Sequence, residues 1–411
     1  MNRKPGALKV KPLSNREYLS RQKRLGKLME REKLDAIFML GYNARYMSGY
    51  NPLLEDVAYV QTAEGDKFLF PGPECRTLAL VEAKGIPKKN ILMTSDTMIS
   101  GEGYPYVLDQ MKPLKNILKK YRRMRWGVVD AGGLPADMYF SLKEALGKFS
   151  DESDLLMELR RVKSPEEIAI MRESYRIAGK ALVAGYNAAQ PGVLGFEVAQ
   201  SMAEVFYSEG VQMLSEIFMA NSGPETEPCL NRPSARRIKS GEYVIVDIGG
   251  VLHGYYSDTA RTFIAGSKRD LKSRDALEVA YEAFDAAFCA MGPGTHGADV
   301  DKVARKIVER HFPTGMVYQI AHSVGVEHCE GPHCQPVGPF TDLVLEPGMV
   351  FALDAGIWGI TLGGSSGVPK YKGGIRLEDG ILITENGAER LTPSFPADPK
   401  ITRVHHRPKG I

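Results

Sequence analysis

Two periodicities of apolar positions run along this chain, and the points where one gives way to the other outline its elements. Leu25, Leu28 and Met29 form part of an apolar stripe within residues 16–31, which predicts a helix. Residues 35–40 (DAIFML) read as a short buried strand, and residues 57–61 and 67–70 as a hairpin around Ala63-Glu64-Gly65-Asp66. A helix is expected over residues 114–121 and a strand over 126–130. Helices alternating with strands through the first third of the chain predict a small α/β domain over residues 16–158. Residues 1–15, rich in lysine and broken by Pro5 and Pro12, are expected to form a flexible arm.

A charged connector at residues 158–163 (ELRRVK) then leads into Ser164-Pro165-Glu166-Glu167. That tetrapeptide offers an N-cap, a proline at the first helical position and a glutamate three residues on, the pattern of a capping box. Ile168, Met171, Tyr175, Ala178 and Leu182 follow at helical spacing. Further helices are expected over residues 196–207, 275–291 and 299–311, with strands over 344–358 and 374–384. Residues 159–411 therefore read as a second, α+β domain.

The densest chemistry lies in residues 243–263 (YVIVDIGGVLHGYYSDTARTF), two strand-like runs joined by a glycine-containing reversal. A turn centred between Leu252 and His253 would set Asp247 directly opposite Asp258, and two carboxylates so placed repel unless a cation lies between them. His322 precedes another glycine turn. Asp354 stands in the apolar run MVFALDAG, where an aspartate is costly unless paired or metal-bound, and Arg376 and Glu378 share one face of the last long strand. One imidazole and four carboxylates from separate points suit two divalent ions such as Mn²⁺, Co²⁺, Fe²⁺ or Zn²⁺.

Composition adds mainly exclusions. The 411 residues carry 53 basic and 50 acidic side chains, a balance that argues against nucleic acid or membrane surfaces as partners. No run reaches the about 18 apolar residues of a membrane span, and the first residues read without the apolar core of a signal peptide. Five cysteines without a CxxC pair are expected to be reduced thiols in a cytoplasmic protein. The segment GEGYPY at residues 101–106 is too slight for a phosphate loop, and GxxxxGK[ST] does not occur.

The motifs VDIGG…GYYSDTARTF, HSVGVEHCEGP, LEPGMVFALDAGIW and GGIRLEDGILITENGAERLT resemble those of the M24 metallopeptidases, which include aminopeptidase P, prolidase and creatinase. Residues 24–50 and the linker LRRVKSPEEIAIMR resemble the creatinase/prolidase N-terminal domain and its connector. The resemblance implies a pita-bread fold for the second domain and a homodimer. It also implies that Asp247 chelates one metal, that Asp258 and Glu378 bridge, and that His322 and Asp354 hold the other. On this reading the enzyme cleaves an amide or related C–N bond of a small molecule or short peptide, with Xaa-Pro peptides as nearest precedent. Asp354 would orient or deprotonate the water, His328 would shuttle a proton, and Arg376, Tyr256 and Arg232 would contact substrate. Three departures stand out. The position of Asp354 is normally glutamate, the expected substrate-binding histidine falls on Leu230, and a second falls on Cys329 with His328 one step earlier. They leave open a non-peptidase relative, creatinase-like or sulfonium lyase-like, and a non-catalytic pseudo-peptidase.

Overall fold

The computed structural model describes residues 8–52, 56–72, 76–92, 112–266, 271–330, 336–365, 367–393, 395–396, 398 and 404–406. Residues 101–106, Cys75 and Cys334 lie outside them. The chain separates into one unit spanning Leu13–Arg160 and another formed by residues 8–12 with Arg161 onward.

In the first unit the elements are α1 (Asn15–Arg31), β1 (Ala36–Leu40), α2 (Gly41–Ser48), β2 (Ala58–Thr62), β3 (Lys67–Phe70), α3 (Arg76–Glu82), α4 (Lys112–Lys120), β4 (Trp126–Val128), α5 (Ala136–Leu146), β5 (Phe149–Asp151) and α6 (Ser153–Arg161). The strands form one sheet in the order β3-β2-β1-β4-β5. β1 pairs parallel with β4 and antiparallel with β2. Phe38, Val60, Phe70, Leu118 and Trp126 meet in its core. Two differences from the sequence reading appear here. The segment after β1 is a helix, α2, closed by Gly49 at φ 72°, and most of the charged connector belongs to α6. Both are short helices whose apolar faces are supplied by tertiary packing rather than by a long periodic stretch.

The second unit contains α7 (Pro165–Ala188), α8 (Gly195–Ser208), β6 (Met213–Ser222), β7 (Tyr243–Leu252), β8 (Tyr255–Tyr256), β9 (Thr259–Ile264), α9 (Leu271–Ala290), α10 (Gly297–His311), β10 (Ala321–Ser323), β11 (Val350–Leu362), β12 (Tyr371–Thr384), β13 (Gly387–Arg390) and β14 (Val404–His406). The capping box forms as expected: Ser164 Oγ accepts from Glu167 N at 3.3 Å, and Ser164 N donates to Glu167 Oε2 at 2.7 Å. The main sheet runs β10-β11-β12-β9-β7-β6, with β13 beside β12. Its strands are buried almost throughout, which suits their β-branched, near-continuous apolar runs. α9 packs on β11 and β12, and α7 on β7 to β9. β6 was not anticipated: Ser215 and Glu216 break its apolar alternation. Among the described residues no helix is long and apolar enough to cross a membrane.

Along β9 and β12 the side chains that alternate with Ala260 and Glu378 are Arg261 and Asp379, and they build a buried ionic cluster. Arg261 Nη2 lies 2.8 Å from Asp379 Oδ1, its Nε lies 2.9 Å from Asp398, and Arg390 also pairs with Asp379. Arg261 Nη1 donates to the Glu378 carbonyl at 2.9 Å, which ties the cluster to the backbone of the site strand. Removing one member of a buried pair strands the other as a bare charge. Asp379→Ala is therefore expected to destabilise the second unit by about 3–5 kcal/mol, read from denaturant unfolding.

Candidate metal centre

One row of neighbours across the main sheet supplies most of the site. Met219, Asp247, Ala260, Glu378 and Asp354 are successive cross-strand partners on β6, β7, β9, β12 and β11. Ala260, the small residue between Asp247 and Glu378, leaves open the space that their side chains share. Asp258 sits two residues before Ala260, and the β7/β9 reversal corrects the expected register. The turn centres on His253 (φ 50°) and Gly254 (φ 85°), so Asp247 faces Ala260 rather than Asp258. Both turn residues take the positive φ that a two-residue hairpin favours. Between them and the rest of the ladder, Ser257 crosses closely over Gly249, where any Cβ would strike the Ser257 carbonyl. That crossing brings Asp258 into the group by an offset of two residues, which keeps it on the same face.

His322 on β10 lies opposite Ala352, two residues before Asp354. Its Nε2 is 3.4 Å from Asp258 Oδ2 and 3.5 Å from Glu378 Oε1. His328 also faces the group: its Nε2 is 3.0 Å from Asp258 Oδ2, its Nδ1 is 2.9 Å from Ser215 Oγ, and its ring meets Tyr256 edge-on. An extended segment would point His328 and Cys329 to opposite sides, but residues 324–330 curl around a buried carboxylate instead. Glu330 Oε2 lies 2.6 Å from Lys163 Nζ, and its Oε1 accepts from Val326 N at 3.1 Å. The curl places Cys329 Sγ 3.4 Å from His322 Nδ1 while His328 reaches Asp258. Sequence reasoning missed Ser215, Tyr318, Lys163 and Glu330. Lys163 and Glu330 each lie within a recognised motif, and a glutamate beside a glycine turn paired to a linker lysine was the available signal.

Arg376 lies opposite Gly356 and reaches diagonally along the row. Nη1 is 2.5 Å from Asp247 Oδ2, while Nη2 and Nε are 2.7 and 3.0 Å from Asp354 Oδ2. Tyr318 donates to the other oxygen, Asp354 Oδ1, at 3.2 Å. Gly356 is required for this, since a Cβ there would meet the Tyr318 hydroxyl. Tyr256 is buried and donates to Glu216 at 2.9 Å. Arg232 is exposed and makes its described hydrogen bonds through its backbone. Leu230 is 56% exposed, whereas its neighbour Cys229 lies near enough to Arg376 and Asp354 for their charges to act on its thiol.

The electrostatics expose a shortage of positive charge. Asp247 Oδ1, Asp258 Oδ1 and both Glu378 oxygens are buried without a hydrogen-bond partner among the described residues. The nearest cationic nitrogens to Glu378, at 3.5 and 3.9 Å, are too distant to satisfy it well. Burial pushes the Asp247 carboxyl up to about 6 against the pull of Arg376, and burial followed by Asp258 and Asp354 raises Glu378 further. Burial opposes ionisation of Asp258 too, yet the imidazoles of His328 and His322 hold it well below the usual carboxylate range. Burial disfavours the His328 imidazolium, but Asp258 outweighs it and lifts that group to about 9. Orphaned carboxylate oxygens beside an imidazole nitrogen fit a divalent cation. Asp258, His322 and Glu378 bring one ligand atom each within 4.8 Å of one another, close enough to share an ion.

Residues 169–385 match metallopeptidase family M24, and residues 21–162 match the creatinase/prolidase N-terminal domain. The chain belongs to metallopeptidase family M24. A Pyrococcus furiosus Xaa-Pro dipeptidase is 28% identical over 376 residues, covering 90% of this chain and 97% of the relative. The Pyrococcus horikoshii prolidase structure is 26% identical with a TM-score of 0.76, covering 92% of this chain and 99% of that one. A Bacillus anthracis Xaa-Pro dipeptidase, 23% identical with TM-score 0.77, covers 94% of this chain and 100% of its own and shares the fold. The M24 unit here has the pita-bread fold anticipated from its motifs. M24 enzymes are metal-dependent hydrolases, and this member keeps oxygen and imidazole donors in place for an ion. His322→Ala removes the one nitrogen of that ligand group, so its metal content after loading and desalting should fall at least tenfold by elemental analysis, while the circular dichroism spectrum stays that of the parent.

Proposed function

We propose that this enzyme hydrolyses a C–N bond of a small, compact substrate, with Xaa-Pro dipeptides as a slow substrate class. The observation that supports this reading is the buried carboxylate row with unpaired oxygens turned toward one imidazole-lined space. Asp258, His322 and Glu378 would hold a divalent ion, and Asp247 and Asp354 would complete the anionic wall. Such an ion polarises the scissile carbonyl and acidifies water when bound.

The protein's own groups do the rest. His328 is held by Ser215 at Nδ1 and by Asp258 at Nε2, so its ring orientation is set and a proton can be kept at Nε2. It is positioned to deliver that proton to the leaving nitrogen. Asp354 spends Oδ2 on two Arg376 N–H groups and accepts once at Oδ1, which leaves one lone pair there to orient the attacking water. Arg376 thus acts on the carboxylates, and Tyr256 steadies His328 from the side. Arg232, being exposed, is available to meet a charged substrate.

Peptide cleavage is weakened at one point. The place at which the related peptidases are expected to hold substrate with histidine falls on Leu230, which has no donor or acceptor, and Cys229 beside it is a weak donor whose thiol is pushed up by burial. This favours, as a second reading, a non-peptidase M24 enzyme acting on a small charged metabolite. We place the enzyme in the cytoplasm, in keeping with the reduced thiols of Cys229 and Cys289, and as a homodimer by analogy with the family.

A panel of Xaa-Pro di- and tripeptides assayed with Mn²⁺, Co²⁺ and Zn²⁺ is expected to give kcat/KM below about 10⁴ M⁻¹s⁻¹. Faster cleavage would restore an ordinary dipeptidase, and complete inactivity on peptides and small amides alike would favour the pseudo-peptidase. With any substrate turned over, His328→Gln should lower kcat by about 10²–10⁴-fold. Ser215→Ala, which only releases the ring, should cost less.

A further inference from the structure

We propose that Lys163 and Glu330 are positioning residues of this enzyme, whose buried ion pair holds the His328 ring where it can deliver a proton. The inference rests on the role given to His328 above and extends it to two residues that act only through that ring.

Lys163 is fixed before it meets its partner. Its backbone N–H donates to the Gly348 carbonyl at 2.9 Å, shortly ahead of β11, and the next residue, Ser164, caps α7. From there its ammonium reaches Glu330 Oε2 at 2.6 Å, the Arg161 carbonyl at 3.4 Å and Ser323 Oγ at 3.5 Å, one acceptor for each of its three protons. Both charged side chains are at most 2% exposed. Glu330 in turn closes the curl on itself. Its Oε1 accepts from Val326 N at 3.1 Å, its Oε2 from Ser323 Oγ at 3.3 Å, and its backbone N–H donates to the Ser323 carbonyl at 3.0 Å. The carboxylate fills the space that a Cβ at position 325 would need, so Gly325 and Glu330 fit only together.

This constraint passes to His328 by two routes. His328 and Cys329 immediately precede the anchored Glu330, so the anchor limits where their backbone can lie. The Gly325 carbonyl accepts from Tyr256 N at 2.8 Å, and the Tyr256 ring meets His328 edge-on. Ser215 bonds only the ring, at Nδ1, and does not hold the segment that carries it. Without the ammonium, Glu330 is left as a buried bare charge, and turning that charge to water opens the curl. The ring then leaves Asp258, and a proton donor displaced from its working position loses much of its effect on rate.

Full-length Mn²⁺-loaded enzyme assayed with the dipeptide Ala-Pro tests the inference. Lys163→Met should lower kcat by about 10–100-fold with KM nearly unchanged, within the range of a lost proton-transfer group. Added to His328→Gln, it should cost less than about threefold more, because residues that act as one unit are not additive. Effects that multiply in the double variant overturn the inference, since Lys163 then only maintains the fold. Unchanged kcat in Lys163→Met also overturns it and leaves the metallohydrolase reading intact. Unchanged kcat in His328→Gln removes the proton-delivery role and the inference together. A second measurement needs no turnover: alkylation by iodoacetamide, resolved by mass spectrometry at each cysteine. Lys163→Met should speed modification of Cys329 by about tenfold or more, as local opening of the curl requires, and leave Cys229 and Cys289 at the parent rates. No acceleration at Cys329, or equal acceleration at all three, overturns the inference. If Lys163→Met does not fold, Lys163→Met/Glu330→Ala removes the anchor without stranding a charge, and the same outcomes decide.

Discussion

Four carboxylates buried on one face of a sheet, with too few cations to match them, are the constraint on which the second unit depends. Asp247, Asp258, Asp354 and Glu378 are each at most 2% exposed, and no apolar packing offsets the loss of water around so many charges. Arg376 meets half of the requirement by spanning Asp247 and Asp354. The other half, Asp258 and Glu378, is left facing His322 with unpaired oxygens. That imbalance makes the site receptive to a hard or borderline cation, and the same imbalance makes it chemically useful.

The rest of the fold keeps this arrangement from relaxing. Behind the row, Arg261 and Arg390 neutralise Asp379 and Arg261 anchors the Glu378 carbonyl, so β12 cannot slide to relieve repulsion on its other face. A one-residue slip would exchange Glu378 for Asp379 and invert both clusters. Beside the row, the Lys163–Glu330 pair curls residues 324–330 inward and brings His328 onto Asp258. Glycines at 249 and 356 provide the clearances through which Ser257 and Tyr318 reach their places.

Much of this was legible in the sequence because strand periodicity fixes faces. Alternation in the runs around Asp354 and Glu378 is enough to set Asp354 on the face of Val350 and Ala352, and Glu378 on the face of Arg376. The capping box at Ser164 is equally local and equally readable. What escaped depends on non-local geometry. The hairpin register turned on whether His253 would accept positive φ, which glycine content alone does not decide. β6 was hidden by Ser215 and Glu216, polar residues that bond His328 and Tyr256. His328 looked one residue out of place because the curl around Glu330 is made by Lys163, more than 160 residues away in the chain. The links from Arg376 to Asp247 and Asp354 span four neighbouring strands and have no signature in spacing.

The central claim is that the unpaired oxygens of Asp258 and Glu378, together with His322, constitute the cation site. The most direct test is an anomalous difference map at the manganese edge from crystals of the Mn²⁺-loaded enzyme. The account predicts the strongest peak within bonding distance of His322 Nε2 and of a carboxylate oxygen from each of Asp258 and Glu378. A loaded enzyme whose anomalous density lies elsewhere, with those oxygens bonded only to protein donors, would contradict it.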